Sequence, residues 1–278
     1  MTRARPARFA FIGLRSGSRR ALGAMLAAPL PVKFLAGAVV ILAVWSAVNW
    51  VYQVIRKPAE MLFPVSGALA KTPPETWRQY GPLFREHSTA VITPELLAAL
   101  AQVEGGGNPA ARPSWRWRLT WNPLELYRPA SSAVGMYQIT DAAFREAKRY
   151  CIHDHAVVED GPWHDFRSCW FNGLYTRVVP SHAVELTAAF LDRSVANAIG
   201  RQGVAAATLE EKQDLAAVIH LCGAGSGDAY ARRGFWLTAG QRCGEHDVAT
   251  YLAQVHAMKR QFVTAAGQGG TSRQGAPG

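Results

Sequence analysis

The feature that most constrains this chain is an uncharged, apolar run from Phe34 to Val54. Within its 21 residues the polar side chains without aromatic rings are Ser46, Asn49 and Gln53. As a helix rising about 1.5 Å per residue, the run is long enough to cross a hydrocarbon layer of about 30 Å. The sequence therefore predicts one transmembrane helix, over residues 34–55, and the rest of the chain must fold on either side of it.

Positive charge is concentrated beside this run. Residues 1–33 carry seven Arg and Lys residues and no acidic residue, and Arg56 and Lys57 follow the run. Because basic segments stay in the cytoplasm, this asymmetry predicts a basic cytoplasmic N-terminus and an exported remainder. These nine charges account for most of the net charge of +10 and leave +1 for the other residues. Charge therefore gives no support to nucleic-acid binding, and no nucleic-acid partner is expected.

A cleaved signal peptide is the alternative interpretation of the apolar run. Ala68-Leu69-Ala70 has the small-residue form of a cleavage site. That site lies well beyond the run, however, and Arg56 and Lys57 intervene. The sequence therefore favours an uncleaved anchor, and either interpretation exports the globular part.

The chain beyond the anchor is predicted to divide into three parts. Residues 56–90 contain five prolines and are predicted to be a linker, with a short helix around Glu75 to Phe84. Residues 91–265 show apolar residues at helical spacing and no long β alternation, which predicts a mainly α domain. Residues 266–278, rich in Gly, Gln and Ser, are predicted to be disordered. Cap residues predict helix starts at Thr93, Thr140, Ser181, Thr208 and Asp247.

Four cysteines lie in the part of the chain that is predicted to be exported. An oxidising compartment favours disulfides, and proximity along the chain favours pairing Cys151 with Cys169 and Cys222 with Cys243. Zinc is the alternative, because Cys151-Ile152-His153-Asp154-His155 and Cys169 cluster thiols and imidazoles. Their spacing fits no common zinc motif, so we expect neither a metal nor another cofactor.

Glu104 is the strongest candidate for a chemical role. It closes a helix that is predicted to start at a Thr93 cap with Pro94 in first position. Glu104 continues the apolar face of that helix, where loss of hydration would favour the protonated carboxyl that a general acid needs. Residues 105–107 are all glycine, which would let a bulky substrate approach the backbone. The local sequence leaves open a solvated carboxylate without a chemical role.

Aromatic and arginine residues alternate in the segment that follows Glu104. They are Trp115, Trp117, Trp121, Tyr127, Arg112, Arg116, Arg118 and Arg128. Aromatic rings stack on the apolar faces of sugars, and arginine pairs with carboxylates, so Trp115 and Trp117 are predicted to bind a glycan that carries peptides. The alternatives are a satellite core that includes Trp121, Leu124 and Leu126, and docking to a protein partner.

Glu104, Gly107-Asn108-Pro109 and the later segment Ser132-Ala133-Val134-Gly135-Met136-Tyr137-Gln138-Ile139-Thr140 carry a family resemblance. Together they resemble the SLT-type lytic transglycosylases of the lysozyme-like superfamily, over roughly residues 91–262. The resemblance implies a mainly α, lysozyme-like domain of the goose type, preceded by one transmembrane helix. It implies a protein of the bacterial inner membrane with its catalytic domain in the periplasm.

The same resemblance implies cleavage of the β-1,4 bond between N-acetylmuramic acid and N-acetylglucosamine in peptidoglycan, with a 1,6-anhydro product. Glu104 would be the acid and then the base. Gly135, Met136, Tyr137 and Gln138 would line the cleft. Peptidoglycan strands and the inner membrane are the expected partners, together with a secretion or conjugation machine for which the wall is opened locally.

The chain departs from the family pattern at three places. Gly105 stands where the family has Ser, and Leu221-Cys222-Gly223-Ala224-Gly225 replaces an Ala-Tyr-Asn-Ala-Gly segment. The stretch from Glu104 to Gly135 is also longer than usual. Two alternatives stay open: a hydrolytic lysozyme with Asp141 or Glu125 as second acid, and a non-catalytic peptidoglycan-binding or assembly factor. Exo and endo cleavage are not distinguished either.

Overall fold

The computed structural model describes residues 28–162, 164–165 and 168–271. Most of the predicted basic segment, residues 1–27, and the predicted disordered tail from residue 272 lie outside the described residues. The described chain is mainly helical with a few short strands, as the sequence predicts.

The helices differ widely in length. They are α1 Leu30–Arg56, α2 Phe63–Ser66, α3 Pro73–Glu86, α4 Pro94–Gly105, α5 Asp141–Ala147, α6 Pro180–Gln202, α7 Leu209–Cys222, α8 Ala224–Arg232 and α9 Val248–Thr271. Short 3-10 helices cover Pro58–Leu62, Gly67–Leu69, Pro123–Glu125 and Cys169–Leu174. Most of the buried apolar side chains of the core come from the helices α4, α6, α7 and α9.

The strands form small antiparallel hairpins. They are β1 Trp115–Trp117 with β2 Tyr127–Pro129, β3 Tyr150–His153 with β4 Ala156–Glu159, and β5 Arg242–Cys243 with β6 His246–Asp247. In the first pair, Trp115 lies opposite Pro129 and Trp117 opposite Tyr127. Hairpins this short need support from neighbouring elements, since two strands alone are marginally stable in water.

Helix α1 covers the predicted membrane-spanning run and begins four residues earlier, at Leu30. Among the described residues, it is the helix long and apolar enough to cross a membrane. Only 6% of its most apolar window is buried, so α1 is not a core helix of a water-soluble fold.

Helix α4 lies at the centre of the globular part. Leu96, Leu97 and Leu100 are fully buried and belong to one continuous apolar core. The helix begins as predicted: Pro94 is its first residue and the Thr93 hydroxyl accepts a hydrogen bond from the Leu96 N–H. Helices α3 and α9 pack along α4, while α6, α7 and α8 pack against one another. Helix α4 is therefore held on several sides, which fixes the position of its C-terminal end.

The predicted linker over residues 56–90 differs from the structure. Residues 73–86 form α3, a full helix whose Tyr80 and Phe84 are buried in the core. Trp77 also contacts Phe262 of α9, with ring centroids 5.7 Å apart. The globular part therefore begins near residue 72 rather than residue 91. The short helix predicted around Glu75 to Phe84 is thus present, started by prolines at its first positions, but it belongs to the globular core rather than to a linker.

The cap residues predict most helix starts correctly. Thr140 caps α5, Thr208 forms a capping box with Glu211 at α7, and Asp247 accepts a hydrogen bond from the Thr250 N–H at the start of α9. Helix α6 begins at Pro180, after Val179, rather than at a Ser181 cap. A proline at the first helical position needs no donor of its own there, which permits the earlier start.

Both predicted disulfides are present. Cys151 bonds to Cys169 and Cys222 to Cys243, and the Cα atoms are 5.4 Å apart in each pair. The first pair joins the β3–β4 hairpin to the following 3-10 helix, and the second joins the end of α7 to β5. These disulfides use all four thiols, including the two on which the zinc alternative depends.

Candidate active site

Glu104 lies in the last turn of α4, where the helix ends at Gly105 and Gly106 adopts the left-handed conformation, with φ of 59°. Its side chain is 17% exposed. The carboxyl group is therefore mostly shielded by protein and still open to a ligand. The glycine run ends the helix as predicted, since a left-handed cap residue carries no penalty when it is glycine.

Tyr251 of α9 is the hydrogen-bonding partner of Glu104. Its hydroxyl donates to Glu104 Oε1 over 2.6 Å. Burial, followed by the nearby Glu104 carboxylate, raises the pKa of Tyr251 well above its usual value. The phenol therefore stays protonated and keeps donating, which holds Oε1 in place and leaves Oε2 for another partner.

His220 approaches the same carboxyl oxygen from α7. Its Nε2 lies 3.7 Å from Glu104 Oε1, which is longer than a hydrogen bond but close enough for a protonated imidazole to attract the carboxylate. His220 is mostly buried and stands in the last turn of α7. Three helices, α4, α7 and α9, thus bring one residue each to this point.

A cavity of about 310 Å³ lies next to His220. Its walls include Gln138, Thr140, Glu146, Thr187, His220 and Gly223. The hydroxyl of Thr187 is buried and has no hydrogen-bond partner among the residues described. Glu104 does not line this cavity itself, and His220 is the residue that joins the two. The arrangement places one shielded carboxyl group beside a space with hydroxyl, amide and imidazole walls.

The side chains of the segment from Gly135 to Gln138 lie partly in the core and partly at the cavity. Met136 and Tyr137 are fully buried in the core, and only Gln138 reaches the cavity. The prediction that Met136 and Tyr137 contact substrate is therefore corrected: they form the packed floor beneath the site. Gln138 adopts a φ of 46°, an uncommon conformation for a residue with a side chain, and its side-chain amide donates to the Gly135 carbonyl over 2.9 Å.

Gly135 is required by close packing rather than by substrate. A Cβ at this position would lie 2.2 Å from the Arg177 carbonyl oxygen. The guanidinium of Arg177 donates to the carbonyls of Ser132 and Ile139 over 2.9 and 2.8 Å and pairs with Asp141. Arg177 thus holds the two ends of the segment, at Ser132 and Ile139, together. This role of Arg177 was not predicted from the sequence.

Gly105 has a physical reason to be glycine in this chain. A Cβ added to it would lie 2.7 Å from the Met136 carbonyl oxygen and 2.8 Å from the Met136 Cα. The family's Ser would therefore push α4 away from the segment that forms the floor. Gly105 thus permits the close approach of these two backbones, and Tyr251 supplies a hydrogen bond to Glu104.

We expect Gly105→Ser to destabilise the protein by about 1–3 kcal/mol, because the clash is with backbone atoms that cannot rotate away. The measurement is thermal unfolding of the full chain in detergent. Gly200→Ser is the control, since a Cβ at Gly200, in α6, meets no atom within 4 Å. Equal melting temperatures for the two variants would contradict the packing explanation.

The contacts of Trp115 and Trp117 are with Glu60 and α1 rather than with Glu104. Trp115 Nε1 donates to Glu60 Oε2 over 2.9 Å, and the ring of Trp117 stacks on Trp45 of α1 at 5.9 Å. The predicted stacking of these two rings on sugars is not supported by this position. Trp121 is fully exposed, so the satellite-core alternative is wrong for that residue.

The two residues proposed as second acids are held elsewhere. Asp141 pairs with Arg177 over 2.7 Å, and Glu125 pairs with Arg56 and Arg128 beside α1. Glu104 is not among the ion-pair partners of either residue. The cavity does contain one further carboxylate, Glu146 of α5, which the sequence analysis did not consider.

Sequence patterns did not connect Tyr251 or His220 with Glu104. Tyr251 is separated from Glu104 by 147 residues and reads as one more apolar position on the buried face of α9. The one available signal was that a tyrosine on a buried face needs a partner for its hydroxyl.

No protein-family model, curated protein or solved structure that was compared with this chain matches it. The function is therefore inferred from the residues and their geometry.

Proposed function

We propose that this chain is a membrane-anchored lytic transglycosylase that cleaves the bond between N-acetylmuramic acid and N-acetylglucosamine in peptidoglycan. The observation that carries the proposal is the position of Glu104: a mostly shielded carboxyl group at a helix end, oriented by Tyr251 and connected through His220 to a mainly apolar cavity that has a few polar groups. The resemblance of Glu104 and residues 132–140 to the SLT-type family supplies the substrate class. The periplasm is the proposed site of action, and two disulfides agree with an oxidising compartment.

The reaction needs one group that gives and then takes a proton. With Oε1 held by Tyr251, Oε2 of protonated Glu104 would donate its proton to the glycosidic oxygen as the C1–O bond breaks. The resulting carboxylate would then accept the proton of the C6 hydroxyl, whose oxygen bonds to C1 and gives the 1,6-anhydro sugar. The substrate supplies its own nucleophile, which removes the need for the second carboxylate of ordinary glycosidases.

Features of the cavity support a sugar ligand. Gln138 offers an amide, and the buried hydroxyl of Thr187 offers a group that a sugar hydroxyl or acetamido group could satisfy. Apolar residues of α6 and α7, such as Leu186 and Ile219, form the remaining wall. This mixture of apolar surface with a few polar groups is typical of small-ligand sites.

The contacts of α1 support a retained anchor. The side-chain amides of Asn49 and Gln53 donate to the carbonyls of Tyr127 and Leu124, each over 2.7 Å. Lys57, just after the helix, donates to the carbonyls of Ser131 and Ala133. A signal peptide that is removed after export would leave these partners exposed, so we propose that α1 stays attached and crosses the membrane.

Digestion of purified sacculi by the full chain in detergent micelles tests the proposal. We expect soluble fragments with 1,6-anhydro ends, identified by mass spectrometry. Fragments with reducing ends, together with their loss in Glu146→Gln, would instead establish hydrolysis with Glu146 as the second acid. Binding to sacculi without release of fragments would establish the non-catalytic peptidoglycan-binding alternative.

We expect Tyr251→Phe to lower the rate of fragment release by roughly 10- to 100-fold, since a hydrogen bond to a charged group contributes about 1.5–3 kcal/mol. Tyr230→Phe is the matched control, because Tyr230 is also buried but has no recorded contact with Glu104. Initial rates on sacculi and melting temperatures are compared for both variants. If Tyr251→Phe releases fragments as fast as Tyr230→Phe, the hydrogen bond from Tyr251 makes no contribution to catalysis.

A further inference from the structure

The β1–β2 hairpin lies against the C-terminal half of α1. Trp45 Nε1 donates to the Pro123 carbonyl over 3.1 Å, and the ring of Trp45 stacks on Trp117. Further along the helix, Asn49 and Gln53 bond to the hairpin carbonyls named above, and Arg56 pairs with Glu125. The hairpin therefore follows α1 back toward its N-terminal end for about 11 residues, which corresponds to roughly 16 Å of helix.

The polar residues of the apolar run are explained by this contact. Asn49 and Gln53 are buried although most of α1 is exposed, and both amides donate to hairpin carbonyls. Polar groups at membrane depth need such partners, because lipid chains cannot provide them. The opposite side of the same helix turns stays apolar and exposed, at Val44, Val48 and Val51.

Two residues at the turn of the hairpin, Leu119 and Trp121, carry large apolar side chains that are fully exposed. We call residues 118–122 the hairpin tip; Leu119 is 104% and Trp121 is 102% exposed. Two large, fully exposed apolar side chains two residues apart at a loop end, next to the exposed apolar turn of α1, form the kind of patch that marks an interaction site. The tip follows directly after Trp117, which is stacked on Trp45 of α1. Leu119 and Trp121 therefore lie beside the turn of α1 near Trp45, which is itself apolar and exposed.

The polar residues of the hairpin tip limit how deeply it can enter a lipid bilayer. Arg118, Thr120 and Asn122 alternate with the apolar residues, and the Asn122 side chain accepts a hydrogen bond from the Leu124 N–H. An irregular loop with charged and amide groups is compatible with the headgroup layer and incompatible with the hydrocarbon interior. Trp side chains prefer this same layer. The outer edge of the hydrocarbon therefore lies near Trp45. Residues 30–45 of α1 then cross the bilayer over about 24 Å, a short span that requires local thinning of the bilayer and extension of the Lys33 side chain to the cytoplasmic surface.

We propose that the hairpin tip is a membrane-contact surface that inserts Leu119 and Trp121 into the outer leaflet of the bilayer that α1 crosses. The inference rests on the proposed anchoring by α1 and is independent of the peptidoglycan activity. The tip lies beside the turn of α1 just before Trp45, where Ile41, Leu42 and Val44 are all exposed, and this continuous apolar surface commits it to lipid rather than to a protein partner. Inserted beside α1, the tip holds the globular part at a fixed height and orientation on the membrane.

Fluorescence depth measurement on the full chain tests this surface. All four cysteines are in disulfides, so a single added cysteine can be labelled selectively with an environment-sensitive dye. The label is placed at Leu119→Cys or Trp121→Cys, and the protein is reconstituted in phosphatidylethanolamine–phosphatidylglycerol vesicles. Quenching by nitroxide groups at two depths on the lipid reports the position of each label.

Two further positions serve as references. Val40→Cys, on the exposed side of α1, reports whether the helix is in the bilayer at all. Leu209→Cys is an exposed leucine at the start of α7, near Gln213, whose amide donates to the Val91 carbonyl just before α4 begins. Leu209 is thus at the other end of α4 from Glu104, so its label stays in water.

We expect blue-shifted emission and lipid quenching at residues 119 and 121, strongest with the shallow nitroxide, and neither effect at residue 209. Quenching at residue 40 without quenching at residues 119 and 121 would overturn the proposed surface and leave the anchor intact. In that case the exposed tip would fit a protein partner, because these vesicles contain none. A label at residue 40 that stays in water would overturn the anchor and the surface together.

Discussion

Glu104→Gln should lower the release of 1,6-anhydro fragments from sacculi by at least about 10²-fold, since general acid–base catalysis contributes roughly 10²- to 10⁴-fold. The glutamine can keep the hydrogen bond from Tyr251, because its amide oxygen can take the place of Oε1. It cannot supply or accept the proton that the reaction moves. The variant therefore separates proton transfer from the packing of the site.

The measurement compares initial rates of fragment release by mass spectrometry, with thermal unfolding to show that the fold is retained. Glu95→Gln is the matched control: the same substitution in the same helix, in its first turn instead of its last. We expect it to keep the wild-type rate. Wild-type release of anhydro fragments by Glu104→Gln would eliminate Glu104 as the acid, whatever the other variants show.

Glu60→Ala should destabilise the protein by about 3–5 kcal/mol, the usual result of removing one partner of a buried charge cluster. The Glu60 side chain has no exposed surface, and Lys57 and Arg112 lie 3.0 and 3.1 Å from its oxygens. Burial lowers the pKa of Lys57, and the Glu60 carboxylate opposes that effect. Without Glu60, the positive charge of Lys57 stays buried and loses this compensation.

Thermal unfolding of the full chain in detergent checks this result, and a fall in melting temperature of roughly 6–20 °C is expected for that loss in a chain of this size. Glu159→Ala is the control, because Glu159 pairs with Arg149 over 2.8 Å on the surface, where both side chains are about half exposed. Such exposed pairs contribute less than about 1 kcal/mol. Equal shifts in the two variants would show that Glu60 does not hold α1 and the β1–β2 hairpin to the globular part.

Features that depend on neighbours in the chain were predicted well. Thr93 with Pro94 specified the start of α4, and Thr208 with Glu211 specified the start of α7, because a cap is made within one helical turn. The cysteine pairs followed from short separations of 18 and 21 residues. The helix through Phe34 to Val54 followed from its length and apolar composition alone.

Features that depend on which face of an element is covered were not predictable in this way. Met136 and Tyr137 were taken as cleft residues, yet both are buried, because the segment folds around Arg177 with its apolar side chains toward the core. The rings of Trp115 and Trp117 could stack on a sugar or pack against another part of the protein equally well. Only the tertiary structure shows that their partners are Glu60 of the 3-10 helix after α1 and Trp45 of α1.

The sequence by itself determined the helical class, the apolar run at the N-terminus and the pairing of the two disulfides, and it made Glu104 the candidate acid. These properties follow from composition, from spacing along one helix and from local caps. Only the tertiary structure shows that Tyr251 donates a hydrogen bond to Glu104 and that a side chain at Gly105 would collide with the Met136 backbone. It also shows that the β1–β2 hairpin packs against α1. Each of these contacts joins segments far apart in the chain, and burial against a distant partner leaves no periodic signal in either segment.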